Sequence, residues 1–164
     1  DAIIDLRRQT TTSGSVVLRN YSEVVPFGDA VIDLSIQRTG GAMRQINFLQ
    51  TLANLGINPG MSISLGSDWL ENEFRFQAIR LGDTVIASVP GEAIHELGLQ
   101  IKDAGRQLGF QHPFVFGLAN GHMSYIATER EWHLGGYEGM ATFFGARTAN
   151  RVLDSTNRVM TRVR

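Results

Sequence analysis

Hydrophobic and polar residues alternate most cleanly between Glu73 and Val89. Phe74, Phe76 and Ala78 fall on one face of an extended segment and Glu73, Arg75 and Gln77 on the other. Ile79 breaks the alternation just before Arg80. Leu81-Gly82-Asp83-Thr84 then turns the chain and Val85–Val89 returns as an apolar strand, so the pattern predicts a β-hairpin. Pro90-Gly91 ends the return strand. From there Ile94, Leu97, Ile101, Ala104 and Leu108 recur at steps of three and four, the stripe of a helix packed on one side, with Glu92 expected in its first turn. A second apolar strand is expected at Phe114–Leu118. A last helix is expected from about Thr142 to the C-terminus, with Ala149, Val152, Leu153, Val159, Met160 and Val163 facing inward.

The first half is patterned more loosely. Val16–Leu18 is a short apolar run, and Ala30–Ile36 alternates with Ile32, Leu34 and Ile36 on one face, a half-buried strand signal. Gln9–Ser15 reads as a polar loop. Ile46, Leu49, Leu52 and Ala53 predict a helix over Gln45–Leu55, stopped at Gly56 where a left-handed cap is wanted, and Asn58-Pro59-Gly60 is a turn.

Strand, short loop, helix, strand, loop, helix is the rhythm of a layered α/β fold, with a mixed sheet and helices over residues 1–164 as a single α/β domain or an incomplete portion of a larger one. It places Glu92 and Asn120 just beyond the carboxyl ends of two strands, the edge at which sites of open α/β sheets collect. Such a chain, 164 residues long and 43% hydrophobic, can bury one core of ordinary size. The formal net charge of −1, with acids and bases interspersed, gives no reason to expect a nucleic-acid partner. With no cysteine there is neither a disulfide nor a thiolate metal site. No apolar run approaches the roughly 20 residues of a membrane span, and no signal peptide is visible. Because position 1 is Asp, a free N-terminal nucleophile is excluded, and processing or truncation upstream is expected.

Candidate chemistry gathers between Val89 and Met140. The text runs Val-Pro-Gly-Glu at 89–92, Gly-Leu-Ala-Asn-Gly-His-Met-Ser-Tyr-Ile-Ala-Thr at 117–128 and Gly-Gly-Tyr-Glu-Gly at 135–139. A carboxylate in the first turn of a helix meets unpaired backbone N–H groups, which favours its ionised form and suits a metal ligand. It is equally an ordinary favourable N-terminal glutamate. A tyrosine among Gly-rich turns is, on its own, an ordinary packed ring with its hydroxyl in water.

In that order and spacing, over residues 75–145, the three segments resemble the distal part of the catalytic domain of the neutral/alkaline (non-lysosomal) ceramidases, zinc-dependent hydrolases of N-acyl-sphingosine. The resemblance implies that Glu92, from Pro-Gly-Glu, is a zinc ligand. It gives the same role to Tyr125, which ends an Asn-x-x-x-x-Tyr segment starting at Asn120, and makes Tyr137, in Tyr-Glu-Gly, a second active-site tyrosine. Tyr125 and Tyr137 would be catalytic, Glu92 and Tyr125 the metal-binding pair, zinc the cofactor, and an N-acyl lipid of sphingolipid metabolism the substrate. Two departures from the family pattern fall at Ser124, where Gly usually precedes the ligand tyrosine, and at His122, where an aromatic is frequent. The family's two zinc-binding histidines and its serine nucleophile lie well upstream of the glutamate, and residues 1–88 contain no histidine. The resemblance therefore requires an upstream part of the same protein, or a partner chain, to supply histidine ligands. It also suggests a secreted or periplasmic setting. The other function class is a non-catalytic binding or interaction subunit with an incomplete metal site.

All four histidines, His95, His112, His122 and His133, follow Glu92. His95 stands at an i, i+3 spacing from it but outside a His-Glu-x-x-His context, and an exposed helix face explains it as well. His122, in the turn between Asn120 and Tyr125, is placed to approach the site. His112 and His133 read as surface residues.

Overall fold

A computed structural model describes residue 10 and residues 14–33, 54–56 and 62–164. Its centre is a four-stranded mixed sheet in the order β1 (Leu18–Pro26), β4 (Glu73–Leu81), β5 (Thr84–Ser88), β7 (His112–Phe116). The expected hairpin is there. β4 and β5 pair antiparallel from Leu81↔Thr84 to Ala78↔Ala87, and Phe74, Phe76 and Ala78 are buried while Glu73 and Arg75 are exposed. β1 lies antiparallel along the whole of β4, from Leu18↔Leu81 to Pro26↔Glu73. The sequence pattern marks only the start of this strand. Its nine residues, Leu-Arg-Asn-Tyr-Ser-Glu-Val-Val-Pro, carry polar groups on both faces, and Glu23 is held by Arg158 at 2.8 Å instead of by apolar packing.

β5 leads through the helix α2 (His95–Gln107) to β7, which pairs parallel with β5 from Thr84↔His112 to Ser88↔Phe116. The long C-terminal helix, α5 (Thr148–Val163), crosses β4 and β1 beside α2. Leu97 and Ile101 of α2 and Val152, Val159, Met160 and Val163 of α5 join Phe27, Phe74, Phe76, Val85 and Ala87 in one core. Arg151 fastens the end of β1 to this helix. Its guanidinium lies 4.0 Å over the Phe27 ring and donates to the carbonyls of Pro26 (2.6 Å) and Phe27 (3.2 Å). The helix starts at Thr148 rather than near Thr142, because residues 136–147 instead form a short helix, α4 (Gly136–Met140), and turns. A one-turn helix, α1 (Gly66–Trp69), precedes β4, and α3 (Glu129–Leu134) precedes α4.

Two smaller pairings complete the arrangement. β2 (Val31–Asp33) and β3 (Ser62–Ser64) pair antiparallel. The strand expected over Ala30–Ile36 is thus present at Val31–Asp33, and Leu34–Ile36 lie outside the described residues. So do the Gln45–Leu55 helix save for Asn54 and Leu55, the Asn58–Gly60 turn, and most of the Gln9–Ser15 loop. β6 (Glu92–Ala93) and β8 (Tyr125–Ile126) form a two-residue parallel pair, Glu92↔Tyr125 and Ala93↔Ile126.

This last pair corrects the expectation that Glu92 sits in the first turn of a helix. The helix begins at His95 with Ile94 as its N-cap, and the Glu92 N–H donates to the Ser124 carbonyl at 2.9 Å. Tertiary pairing holds the segment extended against its local tendency. Glu92 is therefore a strand residue outside the field of the helix terminus, which fades within the first turn. β7 also starts and ends two residues earlier than expected, and Leu118 has turned into the left-handed region at φ 54°.

The loop from Gly117 to Tyr125 is fitted closely onto residues 89–92. Leu118 N–H donates to the Gly91 carbonyl, Ala119 N–H to Val89 and Met123 N–H to Pro90. Gly91 is buried at the tightest point. A Cβ there would stand 2.6 Å from the Ser124 carbonyl oxygen and 2.8 Å from Met123 Cγ, closer than real Cβ atoms approach. The loop follows this course at a conformational cost. Leu118 (φ 54°), Asn120 (φ 67°) and Ser124 (φ 68°) are the residues other than glycine with positive φ among the described residues.

Among the described residues, no helix lies over the opposite face of the four-stranded sheet. Leu81, Phe114 and Phe116 on that side are 41%, 49% and 54% exposed.

Three substitutions test this account. Phe76→Ala should lower the unfolding free energy by about 3–5 kcal/mol in a denaturant titration, because the ring is fully buried between sheet and helices. Gly91→Ala should cost about 3 kcal/mol, since its methyl group meets backbone rather than a movable side chain. Ser124→Gly should raise stability by about 1 kcal/mol by removing a left-handed non-glycine residue; no gain in the same titration would contradict the φ of 68° at this position.

Candidate active site

The two-residue pair β6–β8 sets Glu92 and Tyr125 side by side, and parallel register sends their side chains to the same side of the backbone. The neighbouring Glu92 side chain, as a hydrogen-bond acceptor for the phenol, is the largest cause holding the Tyr125 pKa above its ordinary value of 10.0, followed by desolvation and by the negative charge of Glu92, with Tyr137 and Glu138 adding to it. All of these favour the neutral phenol, so at physiological pH Tyr125 keeps its proton.

Tyr137 comes to the same place from a different element. It is the second residue of α4, not part of an open loop, and its ring stands edge-on to that of Tyr125 with centroids 5.5 Å apart and planes at 77°. A buried threonine fixes α4 against β8. The Thr142 hydroxyl accepts from Ala127 N–H at 3.0 Å and donates to the Glu138 carbonyl at 2.9 Å, while the Thr142 carbonyl accepts from Trp132 Nε1 at 3.2 Å. Nothing in the hydrophobic pattern singles out Thr142, because a threonine in a turn is ordinary there. Tyr137 is 70% exposed, so it lies at the solvent side of the site.

Of the four histidines, only His122 is brought within an ion-pair distance of Glu92, with Nε2 at 4.0 Å from Oε1 among the described residues. The His122 and Glu92 side chains remain 60% and 41% exposed. His95 opens α2 and, with Glu92, Leu99, Lys102 and Leu118, lines an open groove of about 450 Å³ between α2 and the end of β7. His112 begins β7, and the His133 ring packs edge-on to Trp132 on α3; both are exposed. Asn120 lies at the far end of β5, where its amide nitrogen donates to Ser88 Oγ and to Gln77 Oε1, each at 3.1 Å.

The donor chemistry on this side of the site suits zinc in part. A carboxylate and a phenol oxygen are adjacent and an imidazole nitrogen is near, all ligand types that zinc accepts. They do not make a full shell. Among the described residues no group of three or more His, Cys, Asp or Glu side chains could hold a metal ion, and no histidine occurs before His95 in the sequence.

Known proteins share both the sequence and the fold. Neutral ceramidase 1 of Arabidopsis thaliana is 34% identical over 91 residues, which cover 49% of this chain and 12% of that protein. Neutral ceramidase A of Dictyostelium discoideum is 35% identical over 85 residues, again 49% of this chain and 12% of that one. The chain thus spans about an eighth of the length of these relatives. In structure it is similar to a ceramidase solved in complex with C2, at a TM-score of 0.63 and 18% identity over 88% of this chain and 30% of that one. The neutral ceramidase of Pseudomonas aeruginosa gives a TM-score of 0.61 and 18% identity, with 28% of its chain covered. The family profile for the N-terminal region of neutral/alkaline non-lysosomal ceramidases matches residues 30–154, a wider stretch than residues 75–145. With Glu92, Tyr125 and Tyr137 all inside that match, the chain belongs to the neutral/alkaline non-lysosomal ceramidase family.

Proposed function

We propose that this chain supplies one wall of the active site of a zinc-dependent amidohydrolase that cleaves the amide bond of N-acyl-sphingosine-like lipids. The observation that carries the reading is the register of Glu92 with Tyr125, with the Tyr137 ring against the second of them, in a chain of this family. Glu92 and Tyr125 would hold the zinc from this side, with histidines from an upstream part of the protein or a partner chain completing the shell. Zinc, when bound, polarises a carbonyl and brings the pKa of its water toward about 7.

The residues of this chain have separable tasks. Glu92 brings the negative charge, which the neutral phenol of Tyr125 does not cancel. Tyr125 holds a proton on the Glu92 side of the site and orders that carboxylate before substrate arrives. Tyr137, exposed to solvent and with its ring braced by Tyr125, is the donor that can reach the oxygen of a scissile amide as charge develops there, the largest single contribution a side chain of this type makes. The incomplete donor set among the described residues favours a second reading, a non-catalytic subunit whose site holds no metal.

Three conservative replacements in the full-length protein decide between them. Glu92→Gln and Tyr125→Phe should lower bound zinc and hydrolysis of an N-acyl amide together, while the fold survives. Tyr137→Phe should retain zinc and lose about 100-fold to 1,000-fold in rate, the usual effect of one missing oxyanion donor. Wild-type zinc content and turnover in all three would end the active-site reading. A wild-type protein that neither binds zinc nor hydrolyses the amide would establish the non-catalytic one.

A further inference from the structure

A polar strip crosses the face of the sheet opposite α2 and α5 and ends at the loop that bears Tyr125. Gln77 Nε2, on β4, donates to Asn20 Oδ1 on β1 at 2.7 Å. Gln77 Oε1 accepts from Asn120 Nδ2 at 3.1 Å, and the same nitrogen donates to Ser88 Oγ, on β5, at 3.1 Å. Ser88 also accepts from the Gln77 N–H at 2.8 Å and is only 7% exposed. The strip thus joins three strands to the first residue of the Asn120–Tyr125 segment.

Asn120 stands where the loop is most constrained. Its φ of 67° is in the left-handed region, flanked by Leu118 at 54°, Gly121 at 142° and Ser124 at 68°. Gly121 leaves little room as well, since a Cβ there would meet Phe74 Cδ1 at 3.3 Å. Backbone held in sparsely populated conformations persists only where the surroundings over-determine it, and it concentrates at functional sites. Asparagine suits this position twice. It enters the left-handed region more readily than most residues, and its side-chain NH2 offers two donors. Ser88 and Gln77 accept both.

We propose that Asn120 is a positioning residue, whose amide pins the strained loop to Ser88 and Gln77 and thereby sets where Tyr125 meets Glu92. The chain of contacts is short. Asn120 fixes the loop, the loop places Met123 N–H on the Pro90 carbonyl and the Ser124 carbonyl on Glu92 N–H, and that last bond leads directly into the Glu92↔Tyr125 pair. The assignment adds to the active-site reading and takes its functional meaning from it, but the clamp is measurable without activity.

The test compares Asn120→Gly, Ser88→Ala and their combination in the full-length protein by residue-resolved hydrogen exchange and thermal unfolding. Glycine removes the amide while tolerating the left-handed backbone, so the melting temperature should not fall. Exchange at the amides of Glu92, Leu118, Ala119 and Met123 should accelerate about tenfold or more, the worth of two lost hydrogen bonds, while α5 stays protected. The double variant should loosen the loop by less than the sum of the single ones, because both remove the Asn120–Ser88 bond and each removes one further bond of its own, Asn120 to Gln77 and Gln77 N–H to Ser88. In turnover assays kcat should fall with KM little changed. Unchanged loop exchange, or a loss of protection extending through α5, would overturn the clamp. If the loop loosens as expected but Tyr125→Phe leaves hydrolysis intact, the clamp stands and the active-site reading falls.

Discussion

Two residues of parallel pairing, Glu92 with Tyr125 and Ala93 with Ile126, hold together the proposed site. So short a ladder is weak by itself. It survives because the segments on either side are already anchored. β5 leads into the buried Val89, α2 fixes Ala93 and Ile94 from the other end, and Val89, Met123 and Ile126 are all fully buried in the core. The absence of a side chain at Gly91 lets the two backbones approach closely enough to bond, so a missing atom governs the distance between a carboxylate and a phenol. Pro-Gly-Glu is in this sense a packing motif before it is a chemical one.

Elements whose burial repeats with a local period are legible in the residues alone. The β4–β5 hairpin shows in Phe74, Phe76 and Ala78, and α2 and the body of α5 show in their apolar stripes, since each buries one face against a neighbour that the pattern need not identify. What escapes has no period. β1 is recognised by its partner β4 and by the Arg158–Glu23 and Arg151–Phe27 contacts, none of which leaves an alternating trace. The strand conformation of Glu92 depends on Ser124, 32 positions on, so local spacing pulled it into a helix. The positive φ of Ser124 is hidden too, because serine does not advertise it as glycine would. Its place in the family pattern, where glycine is usual, is the one sequence signal that matches this geometry.

The same contrast runs through the site. Glu92, Tyr125 and Tyr137 are legible from motif order, and the fold brings the three of them together. Thr142, Ser88 and Gln77, which hold those elements in place, are invisible because a hydroxyl or amide in a turn or strand has many ordinary uses. Electrostatics adds a distinction that order cannot supply. Glu92, Glu138 and Tyr137 all act on the Tyr125 phenol in the same direction, making it the reluctant acid of the pair. Two oxygen donors that look alike as residue letters are thus inequivalent, one carrying charge and the other a proton.

Among the described residues the helices cover one face of the sheet, and this gives its strands a two-residue rhythm of tolerance. Along β4, a change at Phe74, Phe76 or Ala78 is felt by α5 and the whole core, whereas the intervening Arg75 faces away from it. Along β7, Pro113 and Val115 are constrained by the layer beneath, while Phe114 and Phe116 on the other face are 49% and 54% exposed. Exposed aromatic rings that gather in a patch are the kind of surface that meets a partner. Variation at Phe114 and Phe116 is therefore felt less by the core beneath the sheet than variation at Pro113 or Val115.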